Sequence, residues 1–179
     1  MILSRVKLLV NYLFVTIIFT PLLIPALSFS EELKTDRLFR IERSKNANMV
    51  CYDVQLTPEG KIDKKRPIVA YWIMNANKGE KEDLTWIEKK LAYGFEVKYD
   101  TKGDFWVMNL AANVQREIKV YKIDEKYHAE ALIDNRPAII EKIYVKSIEG
   151  GLRPKVEYME FYGKCIKTGD NLYEKFIPV

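Results

Sequence analysis

Polar and hydrophobic residues alternate along most of the chain beyond residue 37, and this period of two is typical of β-strands. In Met49–Leu56, for example, Val50 and Tyr52 fall on one face and Asp53 on the other. Ile68–Met74 is apolar on both faces, which indicates a strand that is covered on both sides. The predicted strands are 38–41, 49–56, 68–74, 95–99, 105–112, 117–123, 127–133, 138–148 and 156–162.

The connections between these segments are short and rich in turn-forming residues, as in Lys102–Asp104, Asp124–Lys126 and Asp134–Pro137. Short connections favour antiparallel neighbours, because a parallel return needs a long crossover. A long meander leaves exposed edges unless the sheet closes on itself or packs against a second sheet. The sequence therefore predicts a mainly β fold, an antiparallel meander of eight or nine strands forming a barrel, or alternatively a sandwich, with one short α-helix.

The predicted helix follows Thr85. Thr85 and Glu88 have the spacing of a capping box, in which each side chain bonds the backbone of the other residue. Leu84, Ile87 and Leu91 recur at helical spacing and are expected to pack on the sheet. Gly94 is expected to end the helix in a left-handed conformation.

The N-terminal segment has a different pattern. Arg5 and Lys7 precede an apolar stretch, Leu8–Leu27, and the small residues Ala26 and Ser28 follow at its end. This succession is typical of a secretory signal peptide, although about twenty apolar residues could alternatively remain as a membrane anchor. We predict a signal peptide over 1–28, a disordered linker over 29–37 and a single β domain over 38–179. The protein is then periplasmic or secreted, with no stable transmembrane segment after cleavage.

The charge of the chain changes once the signal peptide is removed. Residues 1–28 include Arg5 and Lys7 and no acidic residue, so their loss halves the net charge of +4. The remaining basic residues are scattered rather than grouped on one segment. We therefore expect no nucleic-acid partner, because such binding needs a concentrated positive surface.

The residues that most often carry chemistry are sparse. Cys51 and Cys165 are the two cysteines, and we expect them to remain unpaired although an exported protein permits a disulfide. His128 is the single histidine, so neither a zinc site nor a nucleophile with a histidine base is indicated. The sequence predicts no cofactor, no metal and no catalytic residue.

The densest polar run after the signal peptide lies between the first two strands, at Arg40–Asn48. Guanidinium, ammonium and amide groups suit carboxylates, phosphates or sugar hydroxyls. The alternative is a solvated turn whose asparagines bond their own backbone. A second polar residue, Asn109, interrupts an apolar strand and either satisfies a buried backbone group or faces a cavity. The candidate ligand-binding residues are Arg40, Arg43, Lys45, Asn46, Asn48 and Asn109.

Three stretches of the sequence are similar to a known protein family. They are Leu-Phe-Arg-Ile-Glu-Arg-Ser-Lys-Asn-Ala-Asn at 38–48, Trp-Ile-Glu-Lys-Lys-Leu-Ala-Tyr-Gly-Phe at 86–95 and Asn-Val-Gln-Arg-Glu-Ile at 113–118. They resemble a family of exported bacterial domains of unknown function. The resemblance covers about 38–178. It implies a Gram-negative bacterial origin and a single domain behind a signal peptide. It implies no activity and no catalytic residue.

The favoured function is a non-catalytic binding module for a small or amphipathic ligand of the cell envelope. The motivation is the β pattern, the small residues on apolar strands and the polar run at one end. An interaction or structural protein of the envelope is the second hypothesis, with an envelope protein as its partner. The third is an enzyme acting on envelope glycans or lipids, which would need two suitably spaced carboxylates or a nucleophile and a base.

Overall fold

The alternating segments form eleven strands within the residues that the computed structural model describes, 35–44, 46–148 and 155–178. They are β1 (Thr35–Arg43), β2 (Asn46–Gln55), β3 (Ile68–Met74), β4 (Glu80–Asp83), β5 (Phe95–Asp100), β6 (Phe105–Leu110), β7 (Asn113–Ile123), β8 (Lys126–Ile133), β9 (Arg136–Ile148), β10 (Lys155–Cys165) and β11 (Asn171–Phe176). Their order in the sheet is β4-β3-β2-β1-β9-β8-β7-β6-β5, with β10 beside β9 and β11 beside β10. This nine-stranded path curls into a half-barrel.

Strand β9 organises the sheet because three other strands pair with it. β10 occupies one edge along Ala138–Ile148. The other edge pairs first with β8, through Arg136–Ile139, and then with β1, through Lys142–Val145. Since a strand has only two edges, β8 and β1 follow one another along the same edge of β9.

The predicted mainly β fold with one short helix is confirmed. The structure differs from the prediction in strand number and in one pairing. β4 and β11 were not predicted: β4 is Glu-Lys-Glu-Asp and fully exposed, so it carries no hydrophobic alternation. The β1–β9 pair is parallel, so the expectation of a wholly antiparallel sheet is wrong at this position. The return between these two strands is made by the whole of β2–β8 rather than by a single crossover element.

The helical segment consists of α1 (Trp86–Glu88) followed by one π-helical stretch, Lys89–Tyr93. The capping box of Thr85 and Glu88 is confirmed. Gly94 is not left-handed; its φ and ψ of −70° and 167° are extended. Glycine is needed there for a different reason, because a Cβ would lie 1.7 Å from the carbonyl oxygen of Lys89.

The helical segment packs on the sheet through its two ends. Leu84 and Tyr93 are buried, whereas Ile87 and Leu91 are about half exposed. The prediction that Ile87 and Leu91 pack on the sheet is therefore wrong. The apolar spacing correctly located the helix but not the face that it buries.

The core fills the concave side of the half-barrel. The rings of Phe39 and Tyr52 stack with centroids 4.7 Å apart, and the Tyr52 hydroxyl donates to the carbonyl oxygen of Tyr93 at 2.8 Å. This bond ties the end of the helical segment to β2. The hairpin turns predicted at Asp124 and Asp134 are present as two-residue loops, in which the residues have positive φ.

Several predictions concern the N-terminal segment. The signal peptide, 1–28, lies outside the described residues, as do the linker residues up to 34. The last linker residues, 35–37, belong to β1, so this strand begins before the predicted domain boundary at Leu38. Within the described ranges, no helix has both the length and the apolar character needed to cross a membrane.

Candidate functional site

The curled sheet leaves one side of β3 partly unpaired. β4 pairs with Tyr71–Met74 but not with Ile68–Ala70, where the chain instead turns into the helical segment. Gly94 and Phe95, at the start of β5, border the same space. We call this space the seam groove, because it lies between the two ends of the half-barrel sheet.

The seam groove has a volume of about 770 Å³. Its floor is apolar, while its rim carries both signs of charge. The floor residues are Ile68, Ala70, Leu84, Tyr93 and Phe95, and the charged rim residues are Arg66, Lys81, Glu82, Asp83 and Lys89. The groove is thus an open cleft whose lining mixes apolar and charged side chains, and a ligand with an apolar part and a polar group would match both.

A buried carboxylate lies at one end of the groove. Asp53 accepts hydrogen bonds from the Nε of Arg37 and from the hydroxyl of Tyr71, the latter at 2.6 Å. A guanidinium nitrogen of Arg37 also donates to the Tyr71 hydroxyl at 2.9 Å, which closes a three-membered network. The network neutralises a carboxylate that would otherwise be costly to bury.

Two groups of this network, Tyr71 and Arg37, have a raised pKa. Burial, and then the hydrogen bond to Asp53, raise the pKa of Tyr71 to about 12. Burial opposes the charge of Arg37, but the hydrogen bond and attraction to Asp53 outweigh it and raise the pKa of Arg37. Burial likewise raises the pKa of the Cys51 thiol. The Tyr71 hydroxyl and the Cys51 thiol therefore keep their protons at neutral pH.

A second cluster lies behind the floor. The guanidinium of Arg43 lies over the Trp72 ring, 4.5 Å from its centroid, and within 5.8 Å of the Tyr93 centroid. The Trp72 indole in turn donates to Glu88 at 3.1 Å, and its ring lies edge-on to Tyr93 at 5.1 Å. Burial raises the pKa of Tyr93 although the Arg43 charge lowers it. Tyr93 contacts this arginine–aromatic cluster and also lines the seam groove.

Two polar atoms at this end of the half-barrel are buried without a hydrogen-bond partner in the part of the chain that the structure describes. They are the Nε of Arg43 and the Oδ1 of Asn48. Buried polar atoms are nearly always bonded, because an unmade bond costs about 1–3 kcal/mol. A donor and an acceptor therefore remain here for a bound molecule or water.

The structure divides the predicted polar run between two faces of the sheet. Arg40 lies on the convex face, where its Nε donates to Glu42 at 2.7 Å and Lys142 approaches the same carboxylate at 3.4 Å. Arg43 lies on the concave face with Trp72. The division follows from the strand itself, since β1 continues as far as Arg43 and successive side chains alternate.

The asparagines have mainly local partners. The Oδ1 of Asn46 accepts from the backbone N–H of Asn48 at 3.1 Å, the turn-type bond that the alternative interpretation expected. The amide of Asn109 donates to the carbonyl oxygens of Val114 and Arg116, at 3.1 and 3.4 Å. Lys45 lies outside the described residues. Of the predicted residues, Arg43 packs on the Trp72 ring and Asn48 has a buried side-chain oxygen without a partner in the described ranges.

Sequence reasoning missed Asp53, Tyr71 and Tyr93 as site residues. The available signal was Asp53, a charged residue that follows the apolar run Met49–Tyr52 of β2, and a buried acid requires a partner. Its partners lie on β1 and β3, and their proximity depends on strand register.

Other chemistry is limited. Cys51 and Cys165 are both unpaired and buried. Over the described ranges, no group of three or more His, Cys, Asp or Glu side chains is arranged to hold a metal ion.

The fold and the groove define a mainly β half-barrel with a candidate ligand site at its seam. The chain belongs to the DUF4833 family, a family of domains of unknown function, which matches residues 39–175. Comparison with curated proteins gives no match, and neither does comparison with solved structures.

Proposed function

We propose that this domain is exported and acts as a non-catalytic binding module, which holds a small or amphipathic ligand of the cell envelope in the seam groove. The observation that carries the proposal is the groove of about 770 Å³ between β3 and β5, in which the partly exposed apolar side chains of Ala70 and Phe95 lie next to charged residues. A surface of this kind gains free energy when an apolar ligand removes it from water.

The arrangement suggests how a ligand would lie. Its apolar part would cover the floor at Ile68, Ala70 and Phe95, and a polar or anionic group would reach Lys81 and Lys89 at the rim. The Lys81 ammonium lies 4.9 Å from the Tyr71 ring centroid, which limits its freedom and favours a defined position.

Binding without reaction is supported by the state of the polar groups in the groove. Asp53 is occupied by Arg37 and Tyr71, and the raised pKa of Tyr71 keeps its hydroxyl protonated. Export is supported by the charged start, apolar stretch and small residues of 1–28.

The first test is native mass spectrometry of the protein purified from the periplasm. We expect an additional non-covalent mass on the wild type and its loss in Ala70→Phe, which fills the floor. Ala47→Phe is the control, because Ala47 is exposed and does not line the groove. Wild-type protein that carries no ligand, or equal retention in Ala70→Phe, would contradict the proposal. Retention of a protein instead would favour the interaction hypothesis.

The second test compares two neighbouring lysines. Lys89 lines the groove, whereas Lys90 is exposed and does not. For a ligand with an anionic group, Lys89→Glu should weaken binding about tenfold, one lost charge contact, while Lys90→Glu leaves it unchanged. Equal effects of both substitutions would place the ligand outside the groove.

A further inference from the structure

The convex face of β9, β10 and β11 carries four tyrosines that do not belong to the core. Tyr162 lies directly opposite Tyr173 in the β10–β11 ladder, with ring centroids 5.3 Å apart. Tyr144 and Tyr158 form a second pair at 6.5 Å. Glu160 lies between the pairs, opposite Tyr144 on β9. We call these five residues the tyrosine platform.

Polar contacts hold the platform in a defined arrangement. Glu160 accepts hydrogen bonds from the hydroxyls of Tyr162 and Tyr173, at 2.7 and 3.0 Å. The Lys142 ammonium lies 4.5 Å from the Tyr162 centroid, and that of Lys175 lies 3.7 Å from the Tyr158 centroid. The rings are thus positioned by their neighbours although one of them, Tyr173, is 49 % exposed.

The platform continues into a second concavity of about 900 Å³ on this side of the domain. Tyr162 and Lys142 lie at the boundary and line this concavity. Arg40, one of the predicted ligand-binding residues, lines it as well, together with His128 and Asn171. The concavity therefore adds donor and acceptor side chains next to the Tyr162 ring.

We infer that the tyrosine platform is a binding surface for a glycan chain. The apolar face of a pyranose ring packs against an aromatic ring, and its hydroxyl groups both donate and accept hydrogen bonds. The platform offers the matching groups: the exposed ring of Tyr173, the remaining acceptor sites of Glu160, and the ammonium donor of Lys175. The ligand class is a polysaccharide with exposed hydroxyls.

The composition of the platform distinguishes a glycan from other ligands. A lipid surface would need exposed aliphatic side chains, whereas the groups between the rings are charged. A polyanion would need unmatched cations, but Glu160 lies at the centre, and Arg40 and Lys142 share Glu42. A polymer whose sugar rings carry hydroxyl groups fits aromatic rings that are interspersed with both signs of charge.

The five residues of the tyrosine platform do not line the seam groove, although Arg37, which binds Asp53 there, also lines the second concavity. The tyrosine platform is thus a second binding site, and it is tested with substitutions on the convex face of β9–β11 rather than in the groove. Failure of one site would leave the other unaffected.

The test is co-sedimentation of the purified protein with insoluble chitin and with purified peptidoglycan sacculi. We expect the wild type to sediment with at least one of them, and Tyr173→Ala to weaken binding about tenfold through the lost stacking contact. Tyr173→Phe keeps the ring and should retain most of the binding. Binding to sacculi alone would identify a cell-wall peptidoglycan, and binding to chitin as well would identify the shared sugar backbone.

Tyr99→Ala is the matched control, because Tyr99 is 43 % exposed, contacts the Trp106 ring and lies on β5 away from the platform. It should sediment as the wild type does, and so should Lys89→Glu in the seam groove. The inference is overturned if the wild type stays in solution with both polymers, or if Tyr99→Ala loses as much binding as Tyr173→Ala.

Discussion

Two arginine–carboxylate ion pairs connect strands that are far apart in sequence. In one pair the carboxylate is the more buried partner, and in the other pair the arginine is. In the pair at the seam groove, the Asp53 side chain is 5 % exposed and that of Arg37 is 43 % exposed. In the pair between β7 and β11, the Arg116 side chain is 16 % exposed and that of Glu174 is 25 % exposed. In the first pair the arginine therefore compensates the charge of a buried carboxylate. In the second pair the carboxylate compensates the charge of a largely buried arginine.

The remaining contacts of each pair strengthen this difference. The Arg116 guanidinium lies 4.0 Å from the Phe161 ring centroid and donates to the carbonyl oxygen of Leu132 at 2.6 Å. Arg116 thus keeps two interactions when Glu174 is removed. Asp53 keeps the hydroxyls of Tyr71 and Thr35 but no cation when Arg37 is removed. The cost of breaking an ion pair depends on the partner that is left behind.

The largest effect is therefore expected for Arg37→Met. This substitution leaves the Asp53 carboxylate buried without a cation, which should lower the free energy of unfolding by about 3–5 kcal/mol. Urea denaturation followed by circular dichroism measures the change. Adding Asp53→Asn to this variant should restore part of the loss, since the stranded charge is gone. If the free energy of unfolding changes by less than about 1 kcal/mol, the Arg37–Asp53 pair behaves like an exposed ion pair and the prediction is wrong.

A smaller effect is expected for Glu174→Gln. Arg116 retains the Phe161 ring and the Leu132 carbonyl, so the loss should be about 1–2 kcal/mol, the usual range for one charged hydrogen bond. The same denaturation experiment compares it directly with Arg37→Met. If Glu174→Gln is the more damaging of the two, the distinction between a stranded acid and a stranded base is wrong.

The stability of the folded protein at high pH tests the hydrogen-bond network at the seam groove, because Tyr71 belongs to it. The pKa of Tyr71 rises from 10.0 to about 12 in the folded protein. Its contribution is therefore complete below pH 10 and is lost as the pH rises from 10 to 12. Tyr71→Phe should be less stable than the wild type at pH 8, and this difference should shrink by pH 12. Thermal melts at both pH values measure it, and a constant difference would contradict the assignment.

The acid limit gives the smallest predicted effect. Burial disfavours the Glu174 charge, but the bonds from Arg116 and from the Asp134 N–H outweigh it and lower the pKa of Glu174 below 4.5. Its stabilisation is therefore present above that value and is lost as the pH falls through the lower folded pKa. Between pH 6 and pH 3, Glu174→Gln should lose less stability than the wild type does. Parallel curves for the two proteins would exclude this contribution.

The sequence predicted the features that depend on local pattern. Alternation located nine of the strands, and the spacing of Thr85 and Glu88 located the start of the helix. Alternation also explains why Arg40 and Arg43 face opposite sides, once β1 is known to extend through both. β4 was missed because a run of four exposed charged residues has no periodic signal.

The candidate sites could not be assembled in this way, because they depend on register. Arg37, Asp53 and Tyr71 lie on three strands, and an irregularity between Arg37 and Phe39 shifts the β1–β2 ladder. Tyr162 and Tyr173 likewise meet only in the paired strands. One residue of slip would exchange the faces of every side chain involved.

The parallel pair of β1 and β9 also has a consequence for the order of folding. Arg40 of β1 is paired with Lys142 of β9. During synthesis β1 is therefore made long before β9, the strand with which it pairs in parallel. Contacts so distant in sequence close slowly, because the chain between them must first lose its freedom. A chain that ends after β8 would leave one side of β1 open at the middle of the sheet. Such nascent chains would tend to pair with one another through this open edge. Pairing of β9 with β1 covers the edge and prevents that association.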